Sequence, residues 1–191
     1  MIAILDAGHG KDTPGKRSPV WPDGKQLFEW EFNRDVVRRV AELCYDAGIE
    51  RHVLVPEDTD VPLPTRVRRA NKVYDANGGD CVLFSIHANA GGGTGFECYT
   101  SKGETEADKV ATVLMDEAGK EFKDWKMRKD FTDGDPDKEA GYYILKYTKM
   151  PAVLAEFFFM DTEKDCRLIM SESGRQRCAQ VVYKTILRLC L

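Results

Sequence analysis

The feature that most constrains this chain is a set of short apolar runs without polar alternation. "IAIL" (2–5), "RHVLV" (51–55), "CVLFSI" (81–86) and "AVLA" (152–155) are short for helices and rich in branched residues. A strand with one wet face alternates apolar and polar side chains, whereas a strand covered on both faces does not. The runs therefore predict a mostly parallel, twisted sheet flanked by helices on both faces, an α/β fold. "GFECYT" (95–100) and "YYILK" (142–146) read as two further strands.

Amphipathic segments lie between the runs. Residues 29–47 place Phe32, Val36, Val40, Leu43 and Ala47 on one helical stripe, with Glu31, Asp35, Arg38, Arg39 and Glu42 opposite. Pro64 suits the first turn of a second helix ended by Gly78-Gly79, with Val67, Ala70 and Tyr74 inward. Ser101 with Glu104 predicts a capping box for a third helix whose apolar face is Ala107, Val110, Ala111, Leu114 and Ala118. Ser173 with Gln176 predicts the start of the last, with Cys178, Val181, Val182, Ile186 and Leu189 inward. A length of 191 residues suits one domain, 1–191, around one sizeable core. The charged stretch "KDWKMRKDFTDGDPDKEAG" (123–141) reads as a long connection, of a kind that often forms a functional rim.

Charge and cysteine usage narrow the function. A net charge of -4 provides no broad basic face, so nucleic acid is not an expected partner. No apolar stretch approaches the roughly 20 residues of a membrane span, and Met1 leads into "IAIL" without a basic leader, so no export signal is expected. The 6 cysteines are scattered singly, which predicts free, mostly buried thiols and folding in a reducing compartment.

The first strand ends in "DAGHG", a histidine held between glycines that let the backbone turn sharply and approach a ligand. Ligands of open α/β sheets gather beyond the carboxyl ends of the strands, where His9 lies. His87 follows "CVLFSI" at an equivalent exit, whereas His52 precedes "VLVP" at the opposite end and reads as structural. Glu29 sits three and seven positions before Phe32 and Val36, which places a carboxylate on the buried stripe near both histidines. Two imidazoles and one carboxylate are a catalytic zinc set that leaves a fourth position open for water, whose pKa then falls to roughly 7. Glu156 directly follows the strand run "AVLA" and is the candidate proton carrier.

In order, "LDAGHGKD", Glu29, "RVRRAN" (66–71), "SIHANA" and "MPAVLAEFFFMD" resemble the blocks of the zinc-dependent N-acetylmuramoyl-L-alanine amidases of type 3, from residue 2 to about 188. The resemblance implies hydrolysis of the amide between the lactyl group of N-acetylmuramic acid and L-alanine in bacterial peptidoglycan. It implies one zinc ion on His9, Glu29 and His87, with Glu156 catalytic. It also implies an endolysin-like or autolysin-like catalytic domain, made in the cytoplasm and reaching the wall after lysis, or exported as part of a longer protein. One departure stands out: Phe158 occupies the position, two after the glutamate, where family members usually have glycine, and Asp161 and Thr162 follow instead of serine-asparagine.

Arg66 and Asn71 read as structural pairing partners. Asn89 reads either as a substrate hydrogen-bonding group or as a brace for the turn after His87. The loop 11–28 with Trp21 either lines a substrate groove or is an exposed loop with a packed tryptophan. No P-loop, HExxH or GxSxG motif occurs, which argues against nucleotide and serine-nucleophile chemistry. A non-hydrolytic peptidoglycan-binding module and a zinc peptidase acting within the stem peptide are the alternative functions.

Overall fold

In the computed structural model, which describes residues 1–190, the strands are β1 (Ile2–Ala7), β2 (Arg51–Val53), β3 (Cys81–Asn89), β4 (Phe96–Thr100), β5 (Lys138–Glu139) and β6 (Ala152–Phe159); all but β5, a charged pair inside the 123–141 connection, fall on the apolar runs or on "GFECYT". They form a six-stranded sheet in the order β2-β1-β3-β6-β4-β5. Pairing is parallel from β2 through β6, antiparallel between β6 and β4, and parallel again between β4 and β5. The helices are α1 (Glu29–Asp46), α2 (Leu63–Ala76), α3 (Glu106–Glu121), α4 (Tyr143–Tyr147), α5 (Glu163–Met170) and α6 (Glu172–Leu189).

Alternation within each strand sends side chains to two separate cores. Ala3, Leu5, Val82, Phe84, Ile86, Val153 and Phe157 join a larger core with α1, α3, α5 and α6. Ile4, Leu83, Ala152 and Leu154 join a smaller one with Val67 and Ala70 of α2 and Ile144 and Leu145 of α4. Helices thus cover both faces, as the unbroken apolar runs require. No helix among the described residues is long and apolar enough to cross a membrane. The cysteines are free, with Cys190 exposed and the other 5 buried.

The structure corrects several local expectations. "YYILK" is helical rather than extended, because its adjacent pair Ile144-Leu145 is buried in one core, which a helix permits and a strand would split between faces. The third helix starts one turn later than Ser101 suggests, with the capping box formed by Thr105 and Asp108. The last helix is capped by Ser171, whose Oγ accepts from the Gly174 N–H at 3.0 Å. Helix α5 is unannounced by the sequence pattern, since only Asp165, Cys166 and Ile169 of it are buried. On α1, Arg39 is buried where it was expected to face solvent, held by Asp35, Gln176 and Glu172 at 3.1, 2.9 and 2.7 Å. At the far end of the same helix Ala47 is exposed and Cys44 is buried instead.

Candidate metal centre and cleft

The chain leaves β1 to build β2 on one side and β3 on the other, so a crevice opens between the carboxyl ends of β1 and β3. His9 lies just past β1, and His87 lies within β3, which runs two residues beyond it. Glu29 is the first residue of α1 and is 1% exposed. The structure brings all three together: one ligand atom from each lies within 4.8 Å of the others. Glu29 Oε1 is 3.1 Å from His87 Nδ1, 3.4 Å from His9 Nε2 and accepts the Ala88 N–H at 3.2 Å. The two imidazoles meet edge to face at 4.9 Å.

The glycines flanking His9 are explained by close approach. A Cβ on Gly8 would stand 2.1 Å from the His87 ring, and one on Gly10 would stand 2.0 Å from the Asp60 nitrogen. His9 itself has φ +58°, a left-handed conformation that costs a residue with a side chain roughly 1–2 kcal/mol. The turn is held by donors to its carbonyls. Arg66, 2% exposed, reaches Ala7 O at 2.6 Å, His9 O at 3.2 Å and the buried Asp6 carboxylate at 2.8 Å. Asn33 Nδ2 donates to Gly8 O at 3.0 Å. Arg66 therefore has the structural role expected, and it fixes the residue that carries the His9 ring. Asn33 escaped the sequence reading because a buried asparagine on a helix has no motif of its own.

Glu156 is in register with His87 on the adjacent strand β6 and lines the same cavity of about 350 Å³. Burial is the main cause that pushes its carboxyl up to about 7, helped by Glu29 and Glu97 and opposed by His87. Burial likewise lowers His9 to about 4. For His87 burial is the largest single influence and acts downward, but the hydrogen bond to Glu29 and the charges of Glu156, Glu29 and Asp6 together outweigh it and raise the pKa. Glu29 Oε2 and Glu156 Oε2 are both buried without a hydrogen-bond partner. Two unsatisfied carboxylate oxygens next to two imidazoles make a donor set short of a cation, and a nitrogen, nitrogen, oxygen triad suits zinc.

The cavity is also lined by Lys16 from the loop 11–28 and by Tyr142 and Tyr143 at the start of α4. Trp21 of the same loop packs against the larger core and donates to Cys166 Sγ at 3.3 Å, so the loop both lines the cleft and contains a packed tryptophan. Asn89 donates to Glu97 at 2.6 Å and accepts the Ala90 N–H at 2.8 Å, bonds that suit a brace. Glu97, in register with Glu156 across β4 and β6, is neutralised by Arg128 at 2.7 Å and Lys138 at 2.5 Å. The 123–141 connection thus delivers two cations to the carboxylate beside Glu156. His52 is exposed on β2, away from this cluster.

After Glu156 the strand bulges: β6 places Phe157 and Phe158 where β3 has Ala88 alone. Phe158 carries the bulge with φ +60°, the conformation glycine adopts most easily, and is fully buried against Phe122 and Trp125 at 4.8 and 4.9 Å. The Asp161 carboxylate accepts the N–H groups of Gly91 and Gly92 at 2.7 and 2.9 Å, and Thr162 donates to Gly93 O at 2.6 Å. The departures from the usual family residues thus form a local unit that ties the end of β6 to the loop after His87.

The pattern defining the N-acetylmuramoyl-L-alanine amidase family Amidase_3 matches residues 3–188. The chain belongs to this amidase family. It is 34% identical over 181 residues to the N-acetylmuramoyl-L-alanine amidase CwlM of Bacillus licheniformis, covering 94% of this chain and 65% of that protein. It is 31% identical over 178 residues to an endolysin of Bacillus phage SPP1, covering 90% of this chain and 59% of the endolysin. The chain therefore spans less than two thirds of the length of either relative. Its fold matches the crystal structure of an N-acetylmuramoyl-L-alanine amidase from Clostridium difficile 630 with a TM-score of 0.82 at 23% identity, over 99% of this chain and 96% of that one.

Proposed function

We propose that this family member is one catalytic domain, 1–191, that uses zinc held by His9, Glu29 and His87 to hydrolyse the amide between the lactyl group of N-acetylmuramic acid and L-alanine in peptidoglycan. The observation that carries the reading is the convergence of these three side chains within 4.8 Å, with Glu156 on the neighbouring strand. When bound, zinc supplies a Lewis acid that lowers the pKa of water and polarises the amide carbonyl.

This chain's own residues supply the rest. Glu156, raised to about 7, is poised to take a proton from the attacking water and return it to the alanine nitrogen as the amide breaks. Arg66 and Asn33 hold the turn that presents His9. Asn89 braces Glu97, and the tyrosines at the start of α4 form an amphipathic wall suited to a glycopeptide.

Synthesis in the cytoplasm followed by action on the wall after lysis or export remains part of the proposal. Glu156→Gln is expected to retain zinc and lose about 10²–10⁴-fold in release of stem peptides from purified sacculi. Stem-peptide release at the wild-type rate by that variant would remove Glu156 from the mechanism. Sacculi bound but left intact by zinc-loaded wild-type protein would favour a binding module instead.

A further inference from the structure

A second acidic cluster lies outside the cleft. Asp108 in the first turn of α3, Asp135 in the 123–141 connection and Asp137 just before β5 offer carboxylate oxygens within 4.8 Å of one another. We propose that these three aspartates hold a hard divalent cation, calcium, which pins the connection to the amino end of α3.

No lysine or arginine pairs with the cluster among the described residues: Lys109 pairs with Glu106 and Lys138 with Glu97. A separate observation points to a ligand. Asp137 is 2% exposed, and its Oδ2 accepts from Thr100 Oγ1 at 2.7 Å, but its Oδ1 is buried with no hydrogen-bond partner. A buried carboxylate oxygen left unpaired beside two further acids is costly unless a cation or a proton completes it.

The donor chemistry selects the ion. An all-oxygen set of carboxylates suits calcium, and one drawn partly from a loop tolerates calcium's variable geometry better than magnesium's strict octahedron. The nitrogen-containing set around Glu29 shares no residue with it. Asp137 directly precedes Lys138, the residue that pairs with Glu97 opposite Glu156, so the cation fixes the segment forming that side of the cleft.

The test is thermal unfolding of the zinc-saturated full chain during titration with calcium chloride, with isothermal titration for stoichiometry. Tm of the wild type should rise saturably, by about 5 °C or more once calcium reaches ~100 times its Kd. Asp135→Asn and Asp137→Asn should each abolish the rise and the binding heat, while Asp135→Asn should melt no lower than wild type without calcium. No rise up to about 10 mM calcium, above the weakest usual Kd of extracellular calcium modules, would overturn the proposal. So would an equal rise in both variants, or an equal response to magnesium chloride. Stabilisation by acid alone, without a calcium response, would assign the position to a shared proton. Because the readout is stability, these results are independent of the amidase reading.

Discussion

Phe158 shows how one residue can oppose its own backbone. A left-handed φ costs a phenylalanine about 1–2 kcal/mol, while its fully buried ring contributes more, since Phe→Ala changes in cores cost about 3–5 kcal/mol. Burial wins. Phe158→Gly is expected to relieve the strain, lose the packing and destabilise the fold by about 2–3 kcal/mol in urea unfolding. Phe158→Ala keeps the strain as well as losing the ring, so it should be less stable than Phe158→Gly by about 1 kcal/mol. An alanine variant more stable than the glycine variant would contradict the assigned conformation.

Glu156 gives the pH counterpart. Its folded pKa is raised from 4.5 to about 7, so its contribution to stability is complete below about 4.5 and is lost as pH rises through about 7. In metal-free protein this should amount to about 2.5 kcal/mol between pH 5 and 8. His9 acts in the opposite sense: lowered to about 4, it removes stability as pH falls below about 6.5. The difference between wild type and Glu156→Gln isolates the glutamate. Denaturant unfolding at pH 5 and 8 should show the variant gaining on wild type at the higher pH, and parallel curves would refute the buried-acid account.

Among the elements, the loops and helices around the sheet explain what the sequence disclosed. The central strands were legible because burial on both faces leaves an unbroken apolar run, and α1 because its stripe has a 3.6-residue period. The segment 142–146 was illegible: five residues show too little periodicity, and the choice of helix comes from the shared burial of Ile144 and Leu145 under α2. Helix α2 does more than cover the sheet, because its Arg66 reaches through to Asp6, Ala7 and His9. Arg66→Met would leave the Asp6 carboxylate, already bonded to Ser85 at 2.6 Å, buried without its cation. It should destabilise the fold by about 3–5 kcal/mol and, in the folded fraction, weaken zinc binding about 10–100-fold. Asp6→Asn paired with Arg66→Met should recover part of the stability, whereas additive losses would separate the two residues.

At the scale of the whole molecule, the candidate centre follows from topology. Reversal of strand order beside β1 opens a crevice, and three residues from distant parts of the chain converge there because β1, α1 and β3 pack on one another. His9, Glu29, His87 and Glu156 could be singled out from sequence as candidates because each breaks an apolar pattern at a strand exit or on a buried stripe. The supporting residues could not, because Asn33, Glu97 and Lys138 acquire meaning only through partners far away in the chain. The central claim is zinc-dependent cleavage of the lactyl amide, and mass spectrometry of sacculi digested by zinc-loaded and metal-depleted protein tests it most directly. The zinc-loaded protein should release peptides with a free alanine amino group and leave free lactyl carboxylates, and depletion should abolish both until zinc is restored. Cleavage within the stem peptide, or full turnover without metal, would contradict it.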